Sequence, residues 1–256
     1  RQIKGLYIMG ENPAMSDPNA NHAREALARL DTLVVQDIFL TETAYLADIV
    51  LPASAFPEKT GTFTNTDRRV QLARKAINPP GEAKQDLWII QELAKRLGLD
   101  WNYKGPDEVY EELRNCMESM KNISWERLVN EGAVTYPCDG DDKPGNEVIF
   151  GEGFPTNNKK ARIVPAKIVS PDETPDSSFP LILTTGRLLE HWHTGSMTSR
   201  SKVLSTIEPQ PYVNMSRNEM KKNNFSQDET VELSTRRGKV KVKVRIDKMI
   251  PDGMVF

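Results

Sequence analysis

Short apolar runs alternate with helical patterns over the first 135 residues. Apolar side chains recur at helical spacing between Ala23 and Leu30 and again between Asp86 and Leu97, and the intervening apolar runs are Ile3–Met9, Leu33–Val35 and Ala47–Leu51. Short apolar runs separated by helices predict parallel strands with helices on both faces of the sheet. We therefore assign residues 1–135 to an α/β domain of Rossmann-like type.

Residues that favour loops and helix ends define the elements of this region more closely. Phe56–Val70 is rich in polar residues and is predicted to be a loop, and Gly98 is well placed to end the helix that begins near Asp86. Asp107 and Ser124 have the residue types that cap helix N-termini, so two further helices are expected to begin there.

The pattern changes twice after residue 135. Residues 136–180 mix glycine, proline and acidic residues, which predicts a linker with short strands such as Ala161–Val164. From residue 181 the period becomes two: Leu181–Leu183 is predicted to be a buried strand, and Val231–Ser234 and Val240–Ile246 a half-exposed hairpin. Residues 181–256 are therefore expected to form a β-rich domain, either a barrel or a sandwich.

Composition excludes several classes of protein. The 256 residues carry 34 Lys and Arg against 36 Asp and Glu, so no overall basic charge attracts nucleic acid, and no apolar run approaches the ~20 residues of a membrane span. The basic hairpin at Arg236–Arg245 has no interleaved aromatic residues, which also disfavours nucleic acid. With two cysteines, Cys116 and Cys138, a disulfide scaffold is excluded and a reducing, cytoplasmic location is expected. Both ends look cut, which indicates a piece of a larger protein.

Three turns in the first domain follow apolar strands: Gly10–Pro13, Gln36–Asp37 and Pro52–Ser54. Ligands of open parallel sheets bind at the carboxyl ends of the strands, where backbone N–H groups face an anion. Gly10 permits close approach of the backbone, and the Asp37 carboxylate offers two acceptors to a guanine edge or a ribose. The pattern alone favours the structural alternative, a shaped turn and a capping aspartate, because no full G-x-G-x-x-G motif is present.

Two further residues have both a functional and a structural interpretation. Lys59 has the length to reach a phosphate, but composition alone favours a solvated loop lysine. Asp86 is either a helix N-cap or a second carboxylate for the amino group of a purine.

Thr184–Ser201 has the densest set of functional residue types. His191 and His193 suggest a metal, but two histidines alone supply too few ligands for zinc. We favour a backbone-rich cradle for a planar anion, in which Gly186 permits approach, Arg187 binds phosphate, and Trp192 packs. The structural alternative is a polar turn between a strand and a helix, with a packed tryptophan.

No nucleophile and base can be paired from the sequence. Cys116 lies in a helical pattern and is expected to be buried and inert, and nothing near Cys138 indicates activation of its thiol.

Five strings, taken together and in order, resemble the molybdopterin oxidoreductase family. They are YIMGENP at Tyr7–Pro13, VVQDIF at Val34–Phe39, TAYLADIVLPASAFPEKTG at Thr43–Gly61, GEAKQDLW at Gly81–Trp88 and TGRLLEHWHTG at Thr185–Gly195. The resemblance is greatest to the alpha subunit of bacterial NAD-linked formate dehydrogenases, with the periplasmic nitrate reductases next.

That resemblance implies a cofactor, bis-molybdopterin guanine dinucleotide with Mo or W. Residues 1–135 would be part of the α/β domain, residues 136–180 a linker, and residues 181–256 a truncated β-barrel of double-psi type that caps the cofactor. The matching positions imply that cofactor contacts are made by Gly10, Glu11, Asn12, Gln36, Asp37, Lys59, Asp86, Thr185, Gly186, Arg187, Leu188, Leu189, Glu190, His191, Trp192, His193 and Thr194.

The resemblance also implies what lies elsewhere. The 4Fe-4S cluster and the Cys or selenocysteine that binds the metal would precede Arg1, so this piece would hold no catalytic residue. The intact enzyme would oxidise formate to CO2 and pass electrons to iron–sulfur and flavin/NAD subunits. The alternatives are a nitrate or other oxyanion reductase, and a non-catalytic family member in a respiratory complex.

Overall fold

A computed structural model describes residues 2–256. Its first elements are strand β1 (Gly5–Met9), helices α1 (Pro13–Ser16) and α2 (Ala20–Ala28), strand β2 (Thr32–Asp37), a short 3-10 helix (Ala44–Leu46) and strand β3 (Ile49–Pro52). Strands β1 and β2 pair in parallel, with Met9 opposite Gln36, and β2 is the central strand of the three. Their inward side chains, including Ile8, Leu33 and Val35, form a core with the helices. The predicted parallel pairing is confirmed for β1 and β2.

The middle of the chain contains a second, antiparallel sheet. A 3-10 helix (Phe56–Glu58) is followed by β4 (Gly61–Thr64), β5 (Arg69–Ala73), α3 (Asp86–Arg96), α4 (Pro106–Cys116), a 3-10 helix (Glu118–Met120), α5 (Trp125–Glu131) and β6 (Ala133–Thr135). Strand β5 lies between β4 and β6 and pairs with both in antiparallel orientation. The buried residues are Val70, Tyr110, Met120, Ile123, Leu128, Val134 and Cys138.

The prediction that Phe56–Val70 is a loop is wrong. Strands β4 and β5 form a hairpin. Its turn is closed by a hydrogen bond of ordinary length, 3.0 Å, from the Asn65 N–H to the Arg69 carbonyl. The pattern conceals the hairpin because its exposed face carries threonine, which suits a strand as well as a loop.

Two of the predicted helix caps need correction. Gln85 is the N-cap of α3 and Asp86 its first residue, while Gly105 caps α4 and places Asp107 in the first turn. Ser124 does cap α5, because its side chain accepts a hydrogen bond from the Arg127 N–H. Gly98, with φ of +82°, follows the C-cap of α3 as predicted.

Residues 136–180 contain no helix or strand in the described part of the chain, so the predicted short strand at Ala161–Val164 is wrong. The first part of this segment is nevertheless fixed to its surroundings. The Arg68 guanidinium donates to the carbonyls of Tyr136, Asn146 (3.1 Å) and Glu147 (2.8 Å).

The last part of the chain forms a five-stranded sheet. It contains β7 (Ile182–Leu183), a 3-10 helix (Thr198–Arg200), α6 (Lys202–Ile207), β8 (Tyr212–Met215), α7 (Arg217–Lys222), β9 (Thr230–Ser234), β10 (Lys239–Ile246) and β11 (Met254–Val255). The strand order is β7-β11-β8-β10-β9. The predicted hairpin is confirmed as β9 and β10, which pair in antiparallel orientation.

The prediction of a buried first strand in this sheet is wrong. Strand β7 is two residues long and lies at the edge of the sheet, where Ile182 and Leu183 are 47% and 40% exposed. The core of the sheet comes instead from the other strands and α7, with Val244 and Val255 almost fully buried. The fold class is α/β with a mixed β-sheet, and the Rossmann-like and double-psi details stay predictions.

The contacts divide the chain into two compact units. The first unit combines residues 2–50 with Lys167–Phe256, and the second is Leu51–Ala166. The domain boundaries predicted at residues 135 and 181 do not coincide with the boundaries of these compact units. The units do not test the predicted domains, which remain a prediction. None of the helices in residues 2–256 is both long and apolar enough to cross a membrane.

Candidate functional site

The carboxyl ends of β1 and β2 meet at one edge of the parallel sheet, in the first unit. Gly10 has φ of +65°, and its N–H donates to the Gln36 carbonyl at 2.9 Å. The Asp37 Oδ1 accepts from the N–H groups of Ile38 (2.7 Å) and Phe39 (3.2 Å), so it caps the loop after β2. Asp37 thus has a structural role at the edge where a ligand was expected, but it closes a turn and does not cap a helix, as the structural alternative had it.

Gln36 is fully buried, although it was predicted to contact a guanosine. The Tyr7 hydroxyl donates to its Oε1. A contact between this side chain and a ligand would therefore require a different local arrangement. The neighbouring Glu11 is exposed.

Asn12 joins three segments of the first unit. Its Oδ1 accepts from the Thr43 N–H (3.1 Å) and hydroxyl (2.8 Å). Its Nδ2 donates to the Glu42 carboxylate (2.8 Å) and the Ser196 hydroxyl (2.9 Å). These four bonds use the full capacity of a carboxamide. The turn after β1 is thereby connected directly to the Thr184–Ser201 segment, far away in sequence.

Electrostatics stabilise the same junction. The hydrogen bond from Asn12 lowers the pKa of Glu42, and so do its own backbone N–H and the charges of Arg200 and Arg24. The Arg200 guanidinium also lies 4.5 Å from the centre of the Phe39 ring. Ser196 and Arg200 lie in the segment that the sequence singled out, but Glu42 was missed, because its importance depends on contacts between distant segments.

His191 is held by partners on both ring nitrogens. Its Nε2 lies 2.7 Å from the Glu208 carbonyl, and because a carbonyl can only accept, this nitrogen carries the proton. Its Nδ1 lies 3.2 Å from the Thr198 hydroxyl. The same hydroxyl accepts a hydrogen bond from the Trp192 N–H at 2.9 Å. His191 therefore fixes the turn in this conformation rather than offering a nitrogen to a metal. No group of three or more His, Cys, Asp or Glu residues within 2–256 could hold a metal ion.

The remainder of the Thr185–Thr194 segment presents its side chains to solvent. Leu189 is 94% exposed and Trp192 60% exposed, and Trp192 packs edge-on against His193 with ring centroids 4.7 Å apart. The exposed members are Thr185, Gly186, Arg187, Leu188, Leu189, Trp192, His193 and Thr194, with Glu190 half-buried. These groups are free of the core and available to a ligand.

Gly186 has a structural reason to be glycine. A Cβ built on it would lie 2.0 Å from the Phe256 Cζ, so the aromatic ring occupies the place of a side chain. We expect Gly186→Ala to displace this ring, which is 39% exposed and free to move, and to cost up to about 1 kcal/mol of stability. Chemical denaturation would measure the loss, and Gly151→Ala is the control because a Cβ there meets nothing within 4 Å. Equal stability of the two variants would contradict this assignment.

In the second unit, Lys59 and Asp86 form an ion pair with each other. Their side chains are 28% and 29% exposed. The sequence predicted a ligand contact for each residue separately, and did not predict the pairing. The pair places an ammonium donor and a carboxylate acceptor side by side at the start of α3, within reach of solvent.

Ser54 is a polar residue of the same region that the sequence did not single out, although it lies in a strand-end turn. It is almost fully buried, and its hydroxyl oxygen has no partner among the described residues. Its N–H donates to the Lys84 carbonyl at 2.9 Å, which brings the turn against the segment that precedes Asp86. A buried hydroxyl without a partner is costly, so this position suits a bound water or a ligand group.

Comparison with protein families gives two matches. Residues 1–96 match the family model for molybdopterin oxidoreductase, and residues 181–256 match the model for the molybdopterin dinucleotide binding domain.

Comparison with individual proteins gives relatives of related activities. The chain is 44% identical over 258 residues to the F420-dependent formate dehydrogenase subunit alpha of Methanocaldococcus jannaschii, covering 38% of that protein. It is 40% identical to the putative formate dehydrogenase YrhE of Bacillus subtilis, over 84% of this chain and 22% of that protein. It is also 37% identical to the assimilatory nitrate reductase catalytic subunit of the same organism, covering 37% of it.

A solved structure shares the fold. Acetylene hydratase from Pelobacter acetylenicus superimposes with a TM-score of 0.78 at 23% identity, covering 98% of this chain and 36% of that chain. The chain thus spans well under half the length of the proteins that it matches.

Proposed function

Because the chain belongs to the molybdopterin oxidoreductase family, we propose that it binds the dinucleotide tails of a bis-molybdopterin guanine dinucleotide cofactor. The observation that carries this proposal is the pair of family matches, at residues 1–96 and 181–256, which include every candidate cofactor residue. The chain itself supplies binding and orientation, and the bond-making chemistry belongs to the cofactor.

The first unit offers groups suited to a pterin and a pyrophosphate. Gly10, Glu11 and Asn12 lie at the end of β1, with Gln36 and Asp37 at the end of β2. Backbone N–H groups at such strand ends bind phosphate oxygens. The Thr185–Thr194 segment adds the Arg187 guanidinium as a phosphate partner and the exposed Trp192 ring as a packing surface.

The second unit offers groups suited to a guanosine phosphate. The two carboxylate oxygens of Asp86 match the two adjacent N–H donors on the edge of guanine, and the Lys59 ammonium suits a phosphate. The observed ion pair holds the two groups side by side before a ligand is present. The unpartnered hydroxyl of Ser54 adds a further donor or acceptor in this unit. Lys59, Asp86 and the exposed Thr185–Thr194 segment therefore fit the cofactor, whereas the side chains of Asn12 and Gln36 are already engaged within the protein.

For the whole protein we propose a formate dehydrogenase large subunit. The metal, Mo or W, would supply two-electron redox chemistry for the conversion of formate into CO2. A 4Fe-4S cluster elsewhere in the longer protein, together with iron–sulfur and flavin/NAD subunits, would carry the electrons. Relatives named as F420-dependent support F420 as an alternative acceptor to NAD. A cytoplasmic location is part of the same proposal.

We predict that the 256-residue chain alone shows no formate-dependent reduction of a redox dye. The chain holds groups that bind the cofactor tails but none of the residues that the resemblance places next to formate. The measurement is dye reduction by the purified chain after incubation with the cofactor and metal. Turnover above a blank without protein would contradict the prediction.

The substrate of the longer protein is tested separately. We expect the purified longer polypeptide to reduce dye with formate and not to oxidise reduced dye with nitrate. The match to an assimilatory nitrate reductase makes nitrate the second candidate. A longer polypeptide that binds no cofactor would instead indicate the non-catalytic alternative.

A further inference from the structure

A cavity of about 400 Å³ opens on the second unit, beside the start of α3. Its apolar lining consists of Leu51, Pro52, Trp88, Ile89 and Leu93. Small-molecule sites in proteins span about 300–1,000 Å³ and are lined mainly by apolar and aromatic groups. The cavity therefore has the size and lining of a site for a small organic molecule.

The fold builds this cavity from two fixed parts. Trp88, Ile89, Glu92, Leu93 and Arg96 lie on one face of α3, at the spacing of successive helical turns. On the other side, the backbone of the segment before α3 is fixed to the end of β3. The Lys84 N–H donates to the Pro52 carbonyl at 3.0 Å, and the Ser54 N–H donates to the Lys84 carbonyl at 2.9 Å. The cavity walls are thus held in place without a ligand.

Trp88 leaves much of its indole uncovered in this cavity. It is 49% exposed, whereas its neighbour Ile89 is 5% exposed. The Lys84 ammonium lies 5.6 Å from the centre of the indole ring. An exposed indole face beside a cation provides a stacking surface for a flat ligand and a charge for its edge.

Four charged residues line the cavity, namely Glu82, Lys84, Glu92 and Arg96, and they differ in how far their charges are compensated. The Glu92 carboxylate is paired with Arg96 at 2.7 Å and with Lys95 at 3.4 Å, so these charges compensate one another. Lys84 and Glu82 have no ion-pair partner among residues 2–256. Of these two, it is Lys84 that lies over the ring on which a flat ligand would stack.

We propose that this cavity binds a flat, apolar monoanion such as an aromatic carboxylate. The ligand ring displaces the flexible Lys84 ammonium from over Trp88, stacks on the indole and contacts Ile89 and Leu93, and its carboxylate accepts hydrogen bonds from the displaced ammonium. This proposal is independent of the cofactor, because it uses none of the residues assigned to cofactor binding.

The test compares three ligands that share one ring system. Calorimetric titration of the 256-residue chain with 2-naphthoate, 2-naphthylmethanol and 2-naphthylmethylammonium varies only the charge. We expect 2-naphthoate to bind with a dissociation constant about two- to fivefold lower than either of the others, the effect of one exposed charge pair. Equal binding of all three ligands, or tighter binding of the cation, would overturn the proposal.

Variants locate the binding site. Lys84→Gln should weaken 2-naphthoate binding by about fivefold, while Glu82→Gln should strengthen it by up to about threefold, because it removes a repulsive charge. Trp88→Ala should weaken binding by about tenfold or more through loss of the stacking surface. Lys104→Gln, outside the cavity lining, is the matched control.

Circular dichroism spectra of all variants test whether they fold. If Trp88→Ala does not fold, Trp88→Phe, which keeps an aromatic ring, replaces it in the binding measurement. If Lys84→Gln binds as the unaltered chain does, the anion is held elsewhere and the proposal is wrong.

Discussion

Replacing Arg127 by methionine should lower the free energy of unfolding of the second unit by about 2–3 kcal/mol, the cost of removing several hydrogen bonds from one buried guanidinium. Arg127 is a charged residue that is only 8% exposed. Its guanidinium donates to the Glu131 carboxylate (2.7 Å) and to the carbonyls of Asn122 (3.1 Å), Gly140 (3.1 Å) and Lys143 (2.6 Å). This one guanidinium thus connects helix α5 to the segment before it and to the loop at residues 140–143.

The cost comes from the acceptors that would be left without a partner. Burial by itself would lower the pKa of Arg127, but its hydrogen bonds with Glu131 and Cys138 raise the pKa overall, so the charged form is favoured in the fold. Methionine restores most of the volume but none of the donors. The three carbonyls are only partly buried, and the Cys138 Sγ also reaches those of Gly140 and Lys143, so each lost hydrogen bond costs about 0.5–1.5 kcal/mol, while the half-exposed Glu131 can be hydrated.

Urea denaturation, followed by circular dichroism, measures this loss. The matched control is Arg74→Met, because Arg74 is exposed and donates a single 3.1 Å hydrogen bond, to the Val129 carbonyl. We expect the control to change stability by less than about 0.5 kcal/mol. If both variants lost the same stability, Arg127 would not have the structural role described here.

The second large effect is expected at Asp86. Replacing it by alanine should weaken binding of guanosine 5′-diphosphate, a mimic of the cofactor tail, by about 10- to 100-fold, because two hydrogen bonds to a charged acceptor are lost. Asp86→Asn should be intermediate, since an amide oxygen replaces only one of the two acceptors. Lys59→Met should weaken binding through the phosphate and leave the preference for guanine unchanged.

A control for Asp86 exists in the same unit. Asp107 also lies in the first turn of a helix, α4, but takes no part in the proposed site. Asp107→Ala should bind the nucleotide as the unaltered chain does. Equal weakening by Asp107→Ala and Asp86→Ala would show a general effect of helix stability instead of a specific contact.

The sequence predicted those helices and strands that are determined by residues close to one another along the chain. The parallel pairing of β1 and β2, the helix that ends at Gly98, and the hairpin of β9 and β10 all follow from periodicity and turn residues within a short window. The hairpin of β4 and β5 was missed because its polar, threonine-containing face resembles a loop, and tertiary packing of Val70 decides the structure.

The candidate site was predictable in its residue types but not in its contacts. The pattern identified Lys59 and Asp86 as candidates and the resemblance added Asn12, yet the bond from Asn12 to Ser196 joins residues 184 positions apart. The Lys59–Asp86 ion pair likewise depends on how a loop meets a helix. The Arg127 network left no trace in the pattern, because most of its partners are backbone carbonyls, which every residue has.

The central claim is that this chain recognises a guanine dinucleotide. Its most direct test is calorimetric titration of the 256-residue chain with guanosine 5′-diphosphate and with adenosine 5′-diphosphate, which carry the same phosphates and sugar. The account predicts that the guanine nucleotide binds at least about tenfold more tightly, and that Asp86→Ala removes this preference. Equal affinity for the two nucleotides, or a preference that survives Asp86→Ala, would contradict it.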